Sequence, residues 1–258
     1  MRIEYEDKEI IVVYKEAGLP VQSGRTSARD LVSMLKNHLV QEEQTAREPY
    51  LGIVHRLDQP VEGVLVFAKT PKAAADLSRQ AAAKSDAGNP AGQGAKGNTA
   101  GQGTGVKGQK DVPAMEKVYR AVVLLSAESY PLVLEGRKRE ITLTDWILRD
   151  YSGNSSLVVE EGTRDAKRAQ LAFRTLEVKD GRAMLEIRLH TGRHHQIRVQ
   201  MAHAGMPLAG DRKYGGPDKA SGAEPGAGPL CLCAARLSFR HPQNRKRMTF
   251  TAEPSFSL

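Results

Sequence analysis

His55-Arg56-Leu57-Asp58 sets an imidazole, a guanidinium and a carboxylate within four positions, just ahead of the apolar run Val64-Leu65-Val66-Phe67. A carboxylate beside a buried strand is costly to desolvate unless something pairs with it. Three further stretches carry groups that packing alone does not require. They are Lys117-Val118-Tyr119, Thr191-Gly192-Arg193 with Gln196-Ile197-Arg198, and "GMPLAGDRKYG" at 205–215. Each has an ordinary reading by itself: Asp58 as a turn cap, Tyr119 as a strand aromatic, Arg193 and Arg198 as surface charge. Together they supply a carboxylate able to act as nucleophile or acid–base group, a phenol, and guanidinium groups from distant segments.

Those groups need elements to hold them. Residues 9–14, "EIIVVY", read as a first strand, followed by a Gly18-Leu19-Pro20 turn. Ser27 is expected to cap a helix, with Asp30 three residues on and Leu31, Leu35 and Leu39 along one face. Val64 to Ala68 is a continuous apolar strand, and Thr70-Pro71 opens an alanine-rich helix. Strand patterns resume at 117–125, 169–178 and 182–190. The last two flank the hairpin signal Lys179-Asp180-Gly181. Thr191 is expected to cap a helix bearing Ile197, Met201 and Ala204 on one face and ending at Gly205. A final pair of strands follows a Gly/Pro-rich loop at 215–229. Strand pairs without regular βαβ alternation predict an α+β fold with a mainly antiparallel sheet.

At 258 residues the chain is long enough for one domain with a substantial core, and a single domain over 1–258 is expected. No stretch approaches the ~20 apolar residues of a membrane span. The N-terminus lacks the apolar segment of a signal peptide. Cys231 and Cys233 suit neither a disulfide framework nor a zinc site, so reduced thiols and a cytoplasmic location are expected. Net charge is +8. Nine Lys/Arg against four Asp/Glu lie between Arg164 and Arg198, and five basic residues with no acid between Arg236 and Arg247. Two such segments favour a polyanionic partner, most simply nucleic acid.

Residues 84–112 hold eight glycines in 29 residues and no aromatic, which predicts a flexible insert. Its "GTGVKGQK" lacks the Gly-Lys-Ser/Thr ending and the preceding strand of a phosphate-binding loop. His190 and His194 are separated by Thr191-Gly192, which breaks the helix a zinc pair would need, so no metal is expected. HRLD also occurs in kinase catalytic loops, but no glycine-rich nucleotide loop or DFG accompanies it.

In this order, the motifs closely resemble the RluA-like family of RNA pseudouridine synthases. The resemblance rests on HRLD at 55–58, Lys-x-Tyr at 117–119, "LHTGRHHQIRVQMAHAGMPLAGDRKYGG" at 189–216 and "LCLCAARLSFRHP" at 230–242. It covers about 9–70 and 113–254. It implies a pseudouridine synthase fold with flanking helices and a central RNA-binding cleft. It further implies isomerisation of uridine in ribosomal or transfer RNA, with no cofactor and no metal, by a monomer not bound to a membrane. By that resemblance Asp58 is the nucleophile or cleavage catalyst, paired with Arg198 in preference to Arg193. Tyr119 stacks on the target base and takes part in proton removal. Arg56 fills the space left by the flipped nucleotide, Leu230 walls the uracil, and His55 is a structural hydrogen-bonding residue. Val61-Glu62-Gly63 replaces the family's Thr/Ser-Ser-Gly, so Glu62 is expected to put negative charge near the path of RNA phosphate. The rival reading is a non-catalytic RNA-binding or RNA-folding protein on the same scaffold.

Overall fold

A computed structural model describes residues 1–23, 29–43, 48–83, 114–215 and 228–258. The insert expected at 84–112, Ser27 and most of the 215–229 loop lie outside the described residues. The first strands are β1 (Arg2–Glu6), β2 (Ile10–Lys15), β3 (Gly52–Ile53) and β4 (Glu62–Ala68), with helices α1 (Leu31–Glu43) and α2 (Pro71–Ala82). Then come β5 (Glu116–Leu124), α3 (Tyr130–Lys138), β6 (Ile141–Asp150), β7 (Ser155–Val159), β8 (Lys167–Lys179) and β9 (Arg182–Leu189). Helix α4 (Gln196–His203) and strands β10 (Leu232–Arg240) and β11 (Arg247–Thr251) complete the order.

One mixed sheet runs β1-β2-β4-β10-β5-β9-β8-β6-β7, with β3 on β4 and β11 on β10. Every pairing is antiparallel except β4 with β10, where Cys233 faces Glu62 and Ala234 faces Gly63. The expected α+β class with a mainly antiparallel sheet is therefore what the chain adopts. All seven residues of β4 are buried, which accounts for its unbroken apolar run. Leu65 and Phe67 join α1, through Leu31 and Leu35, in one core. Val64 and Val66 join Ala73 and Leu77 of α2 in another.

Local chemistry explains most boundaries. Thr70 Oγ1 accepts from Ala73 N, and Pro71 opens α2 as predicted. Asp180 and Gly181 both have positive φ (48° and 71°), as the tight β8–β9 hairpin requires. Asp30 caps α1: its Oδ1 accepts from Ser33 N at 2.7 Å and its Oδ2 from Ser23 N at 2.7 Å. Thr191 does not cap α4. Its hydroxyl is engaged by the neighbouring strand, accepting from Gln170 N at 2.8 Å, and the helix starts five residues later behind His195 in the left-handed conformation (φ 53°). Strand β1 precedes the strand read as the first. Burial pushes the thiols of Cys231 and Cys233 up to about 11 and about 12, and both are free.

Gly63 is where the parallel junction closes. Its φ is 122°, and a Cβ there would lie 2.5 Å from both N and O of Ala234. Gly63→Ala is expected to cost about 3 kcal/mol or more, because backbone cannot yield as a side-chain tip can. Chemical denaturation would read this as a lower midpoint at unchanged slope.

Candidate active site

A cleft of about 770 Å³ opens between the segment before β4, the face of β5, and the loop leading into α4. That is within the range of roughly 300–1,000 Å³ typical of ligand sites. Asp58 sits in the β3–β4 connection, where its carbonyl accepts from Val61 N at 3.0 Å. Gln59, next in sequence, is held from two sides. Its carbonyl accepts from Gly18 N and from Lys15 Nζ, and its side-chain amide donates back to Gly18 O. Lys15 is fully buried and also donates to the carbonyls of Glu16 and Leu19. Burial draws its ammonium down to about 8, against the opposing pull of Asp58 and Glu62.

Arg198, in the first turn of α4, reaches Asp58: Nη1 lies 3.4 Å from Oδ2. The rest of its guanidinium is fixed by Asp211, with Nε to Oδ2 at 2.8 Å and Nη2 to Oδ1 at 2.7 Å. Asp211 is buried and also accepts from Lys213 N and Tyr214 N. The Arg198 guanidinium first, then these two N–H groups, outweigh its burial and hold its carboxyl below the ordinary range. The Arg193 side chain turns elsewhere, donating from Nε to Arg168 O at 3.0 Å. Of the two arginines weighed as partners for Asp58, the structure brings Arg198 to it. The Asp58 side chain remains 29 % exposed, open to the cleft.

His195 lies on the other side of the same carboxylate, with Nε2 3.5 Å from Asp58 Oδ2. Its Nδ1 is 2.8 Å from the Tyr214 hydroxyl, which accepts from Ser156 N. With that hydroxyl donating to Nδ1, the ring carries its proton on Nε2, facing Asp58. Burial, opposed by Asp58 and reinforced by Arg198, brings His195 down to about 4. His55 is also pushed well below its ordinary value, by burial and then by Lys117. Both rings are neutral near pH 7.

The unfolded chain therefore takes up these protons before the folded one does. Stability is expected to fall as pH drops from about 6.5 through about 4, ahead of the carboxylates. Urea titrations across that window should show the slope, and His195→Gln should flatten it.

Tyr119 projects from β5 into the cleft and is 7 % exposed. Burial first, then the Asp58 charge, raises its phenol far above the usual value, so it stays protonated at neutral pH. Arg56 and His55 line the same cleft. His55 was expected to be a structural hydrogen-bonding residue, but its Nε2 is buried without a partner among the described residues. Leu230 is not in the cleft wall. The strand starts two residues later, and Cys231 is tied by backbone hydrogen bonds to Val122 and Ala209, which leaves Leu230 in the core and puts Leu232 on the wall. Glu62 also departs from expectation. It is buried away from the cleft, accepting from the Tyr14 hydroxyl at 2.9 Å and from Ser255 N at 2.7 Å.

Lys15, His195, Asp211 and Tyr214 were not singled out from the sequence. Lys15 ends the run Ile10–Tyr14, and a lysine closing an otherwise apolar strand was the available signal. Asp211 and Tyr214 lay inside the "GDRKYG" stretch without assigned roles.

The profile of the RNA pseudouridylate synthase family matches residues 9–86 and 110–203. Ribosomal large subunit pseudouridine synthase D of Nitrosomonas europaea is 32 % identical over 216 residues, covering 83 % of this chain and 50 % of that protein. The uncharacterized RNA pseudouridine synthase YlyB of Bacillus subtilis is 31 % identical over 254 residues, 97 % of this chain and 68 % of that one. The chain thus spans about half to two thirds of the length of these relatives. Among solved structures, human RNA Pseudouridylate Synthase Domain Containing 4 superposes with a TM-score of 0.67 at 20 % identity, covering 98 % of this chain and 88 % of that one. An 11-stranded mixed sheet of this kind, with the HRLD segment and the α4 arginine meeting in its cleft, and a family match over most of the described chain, lead to one assignment: the chain belongs to the RNA pseudouridylate synthase family.

Proposed function

We propose that this chain isomerises uridine to pseudouridine in RNA, with large-subunit ribosomal RNA as the first substrate to test. The observation that carries the reading is the Asp58 carboxylate, open to the cleft and flanked by Arg198 and His195. The reaction breaks the N1–C1′ bond, turns the base and joins C5 to C1′. The C5 proton leaves and N1 gains one, so no redox equivalent or energy source is consumed. Asp58 is the group that adds to an electrophilic carbon or assists glycosidic cleavage. Arg198, held rigidly by Asp211, keeps a cationic donor beside that carboxylate once substrate closes the cleft to water. Tyr119, kept as a neutral phenol, stacks on the uracil and positions its edge, with Leu232 as the apolar wall.

Target uridines must leave the stack, at a cost of a few kcal/mol. Arg56, exposed at the cleft mouth, is suited to fill the vacancy because a guanidinium stacks on bases and binds phosphate at once. The choice of ribosomal RNA is supported by relatives such as the ribosomal large subunit pseudouridine synthase D of Nitrosomonas europaea. The test is tritium release from C5-labelled uridine in unmodified large-subunit ribosomal RNA, with transfer RNA in parallel. Release from ribosomal RNA is expected. Binding to both pools without release would move the protein to the non-catalytic RNA-binding reading.

A further inference from the structure

The β6–β7 hairpin carries an aromatic that neither the core nor the cleft uses. Tyr151 is 79 % exposed, the most of any large apolar side chain among the described residues. The Arg149 guanidinium lies over its ring, 4.6 Å from the centroid. Alternation along β6 gives one face to Asp145, Ile147 and Arg149. Asp145 accepts from Gln200 of α4, Ile147 packs with Val199, and Arg149 reaches the cleft rim near His194. Tyr151, the first residue of the turn after β6, lies against Arg149 and outside the cleft lining.

The tip is held firmly. Asp150 accepts from the backbone N–H groups of Ser152 and Gly153 and from the hydroxyls of Ser152 and Ser155. Lys213 Nζ donates to the carbonyls of Gly153 and Asn154, tying the hairpin to the loop that carries Asp211. Arg149 therefore packs on the ring while the adjacent carboxylate is engaged by the turn. A rigid aromatic has little entropy to lose on contact, and one with a cation on one face and solvent on the other is poised to stack a third planar group.

We propose that Arg149 and Tyr151 form a stacking platform for an unpaired nucleobase of the RNA, adjacent along the strand to the nucleotide that enters the cleft. The chemistry favours RNA over an apolar protein surface. Arg168, Arg193, Arg212 and Lys213 are exposed on the surrounding segments, and an apolar partner would strip water from these cations while phosphate would pair with them. The platform rests on the proposed RNA-modifying role and extends it to a neighbouring position of the substrate.

The experiment compares binding of a labelled short oligouridylate with that of an abasic strand of equal length, using the full chain. Wild type should prefer the strand with bases. Tyr151→Ala should lose about tenfold in affinity for oligouridylate and none for the abasic strand, while Tyr151→Phe keeps the preference. The slope of log affinity against log salt should be unchanged in Tyr151→Ala and shallower by about 0.7 in Arg149→Ala. Equal binding of the two strands by wild type, or a preference left undiminished by Tyr151→Ala, overturns the platform. Wild-type tritium release is read separately, so a failed platform with turnover intact and a base-stacking protein without turnover are distinct results.

Discussion

Asp58→Asn is expected to reduce tritium release by about 10⁴-fold while RNA affinity stays within about threefold of wild type. Asparagine keeps the shape of the side chain and removes the charge and the nucleophilic oxygen. The surroundings do not depend on that charge for their order. Arg198 keeps its two short bonds to Asp211, and His195 keeps its bond to Tyr214. Asp58 is 29 % exposed, and the buried Lys15 ammonium keeps its three carbonyl acceptors and the charge of Glu62, so stability should move by less than about 1 kcal/mol. Filter binding and thermal melts on the same preparation check both halves. Turnover within tenfold of wild type would remove Asp58 from the chemistry, and a large fall in melting temperature would make the loss a folding effect.

Arg198→Met has a different expected signature, since it removes a structural role and the proposed chemical one together. Its side chain is 7 % exposed, and that of its partner Asp211 is wholly buried. Removing the guanidinium leaves the Asp211 carboxylate in the interior with only the N–H groups of Lys213 and Tyr214. Breaking such a pair on one side costs about 3–5 kcal/mol, which lowers the melting temperature by roughly 10 °C for a chain of this size. Adding Asp211→Asn neutralises the stranded charge and keeps an acceptor for both N–H groups. The double variant should recover a substantial part of the stability and none of the turnover. A double variant as unstable as Arg198→Met would show that the buried pair is not the source of the loss.

That Asp58, Tyr119 and Arg198 meet was legible through the family resemblance of the motifs that carry them, since each by itself had an ordinary reading. Val64 to Ala68 and the α1 leucines were legible because burial leaves a direct trace in residue type. What was hidden came from contacts between distant segments. Ser156 and Tyr214 orient His195 through a hydroxyl, and Lys15 is tied to Gln59 across the β2–β4 pair, which no local period records. Alternation gives Leu230 and Leu232 the same parity, so it cannot say which one reaches the cleft. Thr191 carries a cap-like side chain, but a strand N–H claimed it first. Residues 130–159 alternate weakly, with Thr144, Asp145 and Arg149 among the apolar positions, and α3 and the β6–β7 hairpin went unread. Glu62 was misplaced for a related reason: in β4 its neighbours Tyr14 and Ser255 come from near the two ends of the chain.

The single parallel pairing has a consequence for how the molecule comes into being. β1 to β4 form one antiparallel run and β5 to β9 another, and β10 is the strand that joins them. Asp58 belongs to the first run and Tyr119 to the second. During synthesis both runs can order early, but these two proposed site residues share no common frame until Leu232–Arg240 has emerged and inserted. Pairings so distant along the chain form slowly, because the loop between them must close first. Until then β4 and β5 each present an open edge, the state most vulnerable to pairing with another chain. The time from translation to a closed cleft is thus expected to follow the insertion of one late strand.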